Sequence, residues 1–228
     1  MINDFAKQYF DLIHGHFGGL NLTAIKDFDL FLEQQVRDSI APFEKFLKAK
    51  DILENSSLIV DLGCGGGVPI LPLASQYPEK LFLGVDARKK KANAVIEMAS
   101  LLSLKNVGAV GERMENIYLD LPGVVVLVKA VGKIEEVLKF IQSKHLVTVF
   151  FYKGSNWENL EFAHSPQINN NWKLEEVFEM KFPNLGNRYL LMYQGSNETD
   201  KNKNSLLLSQ TIDRYFKTNN KFNKPTNE

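Results

Sequence analysis

IVDLGCGGG, at residues 59–67, joins a short apolar run and an aspartate to a glycine-rich segment. The apolar run predicts a buried strand. The glycines after it predict a tight turn in which a ligand can approach the backbone, because any Cβ would clash there. Ligands of an open parallel sheet bind at the carboxyl ends of its strands, so this turn should lie at that edge. The alternative interpretation is a tight strand-to-helix turn with no ligand.

From Leu58 onward, short apolar runs alternate with helix-length segments. This alternation predicts a mostly parallel sheet with helices on both faces, an α/β fold. The predicted parallel strands lie in SLIVDLG, KLFLGVD, NVGAVG, VVVLVKAV and HLVTVFFYKG. WKLEEVFEMKF and NRYLLMYQ follow with only the PNLG turn between them, which predicts an antiparallel hairpin at the end of the sheet.

The chain divides into three predicted segments. With 228 residues, 44% of them hydrophobic, it can bury one substantial core. Residues 1–50 form a helical segment packed on that core, residues 51–194 form the sheet domain, and residues 195–228 form a polar linker with a short helical or disordered tail. Within the first segment, Asp27 should cap a helix over residues 28–47 that Pro42 divides.

Composition excludes several classes of protein. The single cysteine, Cys64, rules out an intrachain disulfide, and the four histidines show no spacing typical of metal ligands, so we expect no metal. The N-terminus lacks the pattern of an export signal, and no apolar run is long enough for a membrane span. These features favour a cytoplasmic protein without a membrane partner, which we expect to be a monomer. Because 27 basic residues balance 27 acidic ones, any charge that binds nucleic acid must be local.

The glycine spacing distinguishes between two kinds of cofactor. Val68 occupies the position of the third glycine of GxGxxG, the pattern that prepares a helix terminus for a pyrophosphate. S-adenosylmethionine carries no phosphate but a sulfonium and an amino acid, which suit the acidic Asp61 beside the turn. Asp86 ends the next strand, where its carboxylate could accept hydrogen bonds from ribose hydroxyls. The pattern therefore favours S-adenosylmethionine as the cofactor.

A longer stretch around the turn, DLGCGGGVPILPLA, resembles the RsmG (GidB) family. Other family segments occur in the same order: NLT at residues 21–23, DS at 38–39, and then GERMENI, VKAV, YKGSN and PNLGNRYLLM. The resemblance covers roughly residues 3 to 194. It implies a class I S-adenosylmethionine-dependent methyltransferase with a Rossmann-like sheet, which methylates N7 of a guanine near the decoding site of bacterial 16S ribosomal RNA. The partner would be that RNA or a precursor of the small ribosomal subunit.

The resemblance also implies roles for individual residues. The backbone near Gly63 and Val68 would cradle the amino acid end of the cofactor, Met114 and Glu115 would flank its adenine, and Lys129 would border cofactor and substrate. The expected cofactor-binding residues are Asp61, Gly63, Gly65, Gly67, Val68, Asp86, Met114, Glu115 and Lys129.

Methylation of guanine N7 needs no general base, because this nitrogen carries a lone pair and no proton. Catalysis should then come from alignment, with Lys129 and Arg113 as the positioning residues. The expected RNA contacts are Arg113, Lys153, Arg188, Lys90 and Lys91. For each of these cations, a solvated surface charge or an ordinary ion pair is the alternative.

The sequence departs from the family pattern at four positions. Gln35 stands where the family usually has histidine, His16 where it often has tryptophan, and Ile70 where it has glycine. Lys129 replaces an arginine and cannot make the planar two-pronged contact. Two other functions stay open: a class I methyltransferase with a different substrate, and a non-catalytic RNA- or nucleotide-binding relative, which Lys129 favours.

Overall fold

A computed structural model describes residues 2–162, 171–197 and 205–217 of the chain. His164, part of the expected linker and the end of the expected tail lie outside these residues. No helix among the described residues combines the length and the apolar character needed to cross a membrane.

Two sheets contain the strands of the described chain. Their strands are β1 (Leu58–Leu62), β2 (Phe82–Val85), β3 (Val107–Val110), β4 (Ile117–Leu119), β5 (Val124–Lys129), β6 (Gln142–Ser143), β7 (Val147–Gly154), β8 (Trp172–Phe182), β9 (Gly186–Gly195) and β10 (Leu206–Leu207). The main sheet has seven strands in the order β3-β2-β1-β5-β7-β9-β8. Its first five strands are parallel, and β9 runs antiparallel to both neighbours. This confirms the mostly parallel sheet and the final hairpin.

Helices cover both faces of the main sheet. They are α1 (Ile2–His14), α2 (Phe28–Phe31), α3 (Asp38–Lys45), α4 (Leu47–Glu54), α5 (Ile70–Gln76), α6 (Lys89–Leu101), α7 (Ile134–Phe140), α8 (Trp157–Phe162) and α9 (Leu208–Ile212), with 3-10 turns at Gly18–Leu20 and Met114–Asn116. Alternate residues of each strand enter two separate hydrophobic clusters, as the two-residue period of a strand requires. Helices α1 to α6 pack in the first cluster, and α7, α8 and α9 pack in the second.

The N-terminal helices pack directly against the sheet. Tyr9 of α1 and Phe31 of α2 are fully buried in the same cluster as Ile59 of β1. The side chain of Asp27 accepts a hydrogen bond from the amide of Leu30, which confirms the predicted cap. This N-terminal segment therefore shares the core of the sheet.

The prediction that Pro42 divides the second helix is wrong. Pro42 lies inside α3, and the helical stretch is instead interrupted by wide π turns at Leu32–Arg37 and ends at Phe46, which has an extended backbone. Pro42 removes one backbone donor from α3, and the helix nevertheless continues through it to Lys45.

A second, three-stranded sheet was not expected from the sequence. It is parallel, with the order β10-β4-β6. Packing also continues past Gln194, where we expected the core to end: Asn197 is buried and donates to the carbonyls of Leu138 and Ile141. The expected tail helix over residues 206–216 is a two-residue strand, the short helix α9 and a π turn at Asp213–Lys217.

Candidate active site

The glycine loop after β1 needs glycine for two reasons. Gly63 and Gly67 have φ angles of +76° and +92°, in the left-handed region that side chains disfavour. A Cβ on Gly63 would also lie 2.6 Å from Cγ2 of Val131, and a Cβ on Gly67 would lie 2.5 Å from Cδ1 of Leu71. The backbone of the loop is thus held close to its neighbours on both sides.

A cleft of about 620 Å³ lies over this loop at the carboxyl ends of β1, β2 and β5. A pocket of this size suits a small-molecule ligand. Most of the predicted cofactor-binding residues line it, namely Gly63, Gly65, Val68, Asp86, Met114, Glu115 and Lys129. Gly67 and Asp61 do not line this cleft. We call it the cofactor cleft.

Asp61 is a buried carboxylate beside the glycine loop. Its side chain is 1% exposed, and neither of its oxygens has a hydrogen-bond partner among the described residues. Burial raises the pKa of Asp61 well above its ordinary value, while the Ile70 amide and the Lys129 ammonium favour its charged form. Because Asp61 does not line the cofactor cleft and burial favours its neutral form, it belongs to the packing behind the glycine loop.

Asp86 connects the glycine loop to the start of α6. One carboxylate oxygen accepts a hydrogen bond from the amide of Gly65 at 3.0 Å, and the other accepts from the amide of Arg88 at 2.8 Å. A Cβ on Gly65 would meet nothing closer than 3.6 Å, so the space above the loop is open. An acidic side chain beside an open backbone fits a ribose and the amino acid end of a cofactor.

The N-terminal segment also contacts the glycine loop, and the sequence did not predict these contacts. The hydroxyl of Tyr9 donates a 2.5 Å hydrogen bond to the carbonyl of Gly66. A Cβ on Gly66 would lie 2.9 Å from the carbonyl oxygen of Leu22, in the NLT segment. The only signal in the sequence was a tyrosine on the apolar face of α1, and its partner could not be inferred from it.

A second cleft, of about 770 Å³, adjoins the first. The two clefts share Gln35, Lys129 and Ala130. Tyr152 and Trp157 line the second cleft together with the predicted RNA contacts Lys153 and Arg188. We call it the substrate cleft, because it is large enough for a nucleobase and opens beside the cofactor cleft.

Lys129 lies at the boundary of the two clefts and is held there by several groups. Its ammonium donates hydrogen bonds to the carboxylate of Asp38 and, at 3.1 Å, to the carbonyl of Gln34. It also lies 5.3 Å from the ring centroid of Tyr152. The other oxygen of Asp38 is 3.7 Å from Nε of Arg188, so one buried carboxylate joins two cations.

The predicted RNA contacts do not form one surface. Lys153 pairs with Glu161 at 2.5 Å and is 15% exposed, and Nη1 of Arg188 donates to the carbonyl of Leu185 at 2.7 Å. Arg113 and Lys91 line the cofactor cleft, whereas Lys90 lines a separate shallow pocket near His16. In this structure Lys153 therefore forms an ion pair, which was the alternative to an RNA contact.

Cys64 is buried within the glycine loop. A Cβ on Gly84 would lie 2.8 Å from its sulfur, and burial raises the pKa of the Cys64 thiol well above its ordinary value. Both features agree with the packing role expected of this residue.

Comparison with known proteins identifies the family. The sequence model of the GidB family, rRNA small subunit methyltransferase G, matches residues 2–203. Ribosomal RNA small subunit methyltransferase G of Aeromonas salmonicida is 28% identical over 191 residues, which cover 82% of this chain and 86% of that protein. The Helicobacter pylori protein of the same name is 32% identical over 158 residues, covering 68% of this chain and 81% of that protein.

Among solved structures, the fold is similar to magnesium protoporphyrin IX methyltransferase from Synechocystis with bound S-adenosylmethionine. The TM-score is 0.53 at 13% identity, covering 84% of this chain and 97% of that one. This likeness confirms the class I methyltransferase fold, and the sequence matches confirm the resemblance found in the motifs. The chain belongs to the GidB family, rRNA small subunit methyltransferase G.

Proposed function

We propose that this chain transfers the methyl group of S-adenosylmethionine to N7 of a guanine near the decoding site of 16S ribosomal RNA. Membership of the rRNA methyltransferase family supports the class of substrate. The observation that carries the proposal is the meeting of the two clefts at Lys129, where a methyl donor and a nucleobase would lie side by side.

We assign the cofactor cleft as follows. The backbone of Gly63, Gly65 and Val68 holds the amino acid end of the cofactor, with Asp61 and Gly67 behind it. Asp86 accepts hydrogen bonds from the ribose, and Met114 and Glu115 flank the adenine. When bound, S-adenosylmethionine supplies an electrophilic methyl group on a positively charged sulfur.

Guanine N7 then attacks without losing a proton, so the residues around it only have to align the reacting atoms. Positive charge moves from sulfur to the base during transfer. A lysine without a counterion would repel that charge, whereas the Asp38 carboxylate compensates for Lys129 and attracts the developing cation. Two of the three ammonium donors of Lys129 are engaged by Asp38 and Gln34. The third can donate to the guanine O6.

Two aromatic side chains, both largely buried, form part of the lining of the substrate cleft. Tyr152 is fixed by a 2.8 Å hydrogen bond from its hydroxyl to the carbonyl of Ser39, and Trp157 lines the same cleft. Recognition of an extruded base commonly combines contacts with aromatic rings and hydrogen bonds to the base edges, and we propose that the exposed parts of these two rings contact the base. A guanine inserted here would present its N7 edge toward Lys129.

The remaining cations are assigned by their positions. Arg113, Lys90 and Lys91 lie at or near the cofactor side and would bind RNA phosphates. Lys153 and Arg188 line the substrate cleft, and we assign them to contacts with the RNA around the base, for which Lys153 would have to leave its ion pair with Glu161. Because one chain contributes both clefts and the proposed substrate is ribosomal, we propose that a monomer acts in the cytoplasm.

Methylation of isolated RNA and particles tests this function. Purified protein with isotopically labelled S-adenosylmethionine should label 16S RNA, either naked or in small-subunit particles, and mass spectrometry should place the label on N7 of one guanine. Cells without the gene should lack that modification. Labelling of protein or of a small molecule instead, or a failure to bind S-adenosylmethionine, would overturn the proposal.

A further inference from the structure

One wall of the cofactor cleft is a loop between β3 and β4. Glu112, Arg113, Met114 and Glu115 of this loop line the cleft. Its own contacts are local, since the side chain of Glu112 accepts from the amide of Arg113 and from Nδ2 of Asn116. Outside the loop, Nε2 of Gln142 donates to the carbonyl of Glu115 at 3.2 Å, and Gly111 packs against α6, where a Cβ on it would lie 2.8 Å from Cα of Lys89. Beyond Gly111, the position of this wall therefore depends on the Gln142 hydrogen bond and on the strand β4 that follows it.

Residues 205–217, which we call the C-terminal strap, contact the strand on the far side of that loop. Strand β10 pairs with β4, with Leu206 opposite Ile117 and Leu207 opposite Tyr118. Directly after this pairing, the amide and hydroxyl of Ser209 donate to the two carboxylate oxygens of Asp120, at 2.9 and 2.5 Å. These bonds fix the end of β4 to the start of α9.

The same strap also contacts the strand on the near side of the loop. The Tyr215 and Phe216 side chains cover Gly108 of β3, where a Cβ would lie 3.2 Å from Cβ of Tyr215 and 3.4 Å from Cζ of Phe216. Between the two contacts, Leu208 is 1% exposed and enters the second hydrophobic cluster, against which Met114 also packs. The strap thus touches both stems of one cleft wall.

We propose that the C-terminal strap is a positioning element that fixes the 111–116 loop against the cofactor, with Leu208 and the Ser209–Asp120 pair as its anchors. The matched family region ends at residue 203, so the strap is not part of the match. The inference rests on the proposed placement of adenine beside Met114 and Glu115. Because the strap contacts neither the substrate cleft nor Lys129 through any of these bonds, its effect should fall on cofactor binding and not on RNA binding.

Variants of the full-length protein test the strap. Asp120→Asn keeps the shape of the side chain but removes the charge that Ser209 binds, and Leu208→Ala removes the buried anchor. We expect each to raise the KM for S-adenosylmethionine about three- to tenfold with the KM for RNA unchanged. Hydrogen exchange at residues 111–119 should become faster than in wild type. Asp120→Glu should recover part of the affinity, and the exposed Gln210→Ala should behave as wild type.

The outcomes separate this inference from the proposed function. Unchanged exchange at 111–119 in both anchor variants would overturn it, as would parallel increases in the KM for cofactor and RNA. If wild type itself does not bind S-adenosylmethionine, the proposed function fails. The exchange measurement still decides whether the strap holds the loop, because it needs no ligand.

Discussion

The carboxylate of Asp38 accepts a hydrogen bond from the ammonium of Lys129 at the boundary between the cofactor and substrate clefts. Asp38 is 6% exposed and also faces Nε of Arg188. It comes from the N-terminal helical segment, whereas Lys129 ends the strand β5 at the centre of the sheet. The N-terminal segment thus contributes a charge to the centre of the candidate active site.

Replacing Asp38 with asparagine should impair both stability and turnover. The change leaves two cations without their shared buried counterion, which should lower the free energy of unfolding by about 3 kcal/mol. Methyl transfer should fall about 10- to 100-fold because Lys129 loses its fixed position. Urea unfolding and single-turnover transfer measure the two effects. The exposed Asp29→Asn of α2 is the matched control, and equal behaviour of the two variants would contradict this role of Asp38.

Lys129→Ala should reduce methyl transfer more than it reduces cofactor affinity. Lys129 lines both clefts, but in the proposed arrangement its free donor points to the base and not to S-adenosylmethionine. Calorimetry gives the cofactor Kd, and transfer to RNA gives kcat. Lys129→Met keeps the aliphatic stem over Tyr152 and should show the same separation. Equal losses of affinity and turnover would show that Lys129 does not act mainly on the base.

Gly65→Asp should abolish measurable binding of S-adenosylmethionine. Gly65 has a φ of +51°, and the new carboxylate would extend into the open space above the loop beside Asp86. Calorimetry with the folded variant tests this expectation. Gly19→Asp adds the same side chain at an exposed glycine with nothing near its Cβ position, and it should bind as wild type does. Unchanged affinity of Gly65→Asp would remove the glycine loop from the site.

Tyr9→Phe should loosen the glycine loop without disturbing the packing of α1. The change removes only the hydroxyl that donates to Gly66, so the free energy of unfolding should fall by about 1 kcal/mol. The Kd for S-adenosylmethionine should rise several-fold, because the loop loses its support. Tyr77→Phe, at the far end of α5, provides the control. Wild-type affinity in Tyr9→Phe would show that the loop holds its shape unaided.

Asp61→Asn should change how stability depends on pH. Because burial raises the pKa of Asp61 above its ordinary value of 3.8, the folded state keeps a proton that the unfolded state has lost. Below pH 3.8 both states hold the proton and this contribution to stability is fully present, and it is lost as the pH rises toward the raised pKa. Asparagine does not titrate, so the stability of the variant relative to wild type should increase as the pH rises from 3.8 toward the raised pKa. Unfolding curves for both proteins across that range test this, and parallel curves would contradict it.

The main sheet could be predicted from the sequence because its parallel strands are apolar and separated by helix-length segments, and its last two strands by a short turn. The two-residue pattern of β1 and β5 also places their alternate side chains on opposite faces. The small sheet could not be predicted in this way. Strand β4 has three residues and β6 has two polar ones, and such short segments become strands only through partners far away in the chain.

The parts of the candidate site that lie in contiguous motifs could be predicted from the sequence. The parts that the fold brings together from distant segments could not. The glycine loop and Asp86 lie in contiguous motifs, and the structure brings them into one cleft with Met114 and Lys129. Tyr9 is distant in sequence from Gly66, and no local pattern links the two residues. For the same reason, the sequence could not reveal that Glu161 pairs with Lys153 or that Asp38 joins two cations.

The position of β9 between β7 and β8 has a consequence for synthesis of the protein. Because β8 has no other neighbour in the main sheet, residues 172–182 stay without backbone partners until residues 186–195 have also left the ribosome. During that interval the exposed edges of β7 and β8 could recruit strands from other chains. Gly186, whose φ of +69° lies in the left-handed region, lets the hairpin close through a short turn, so one local step gives both edges their partner.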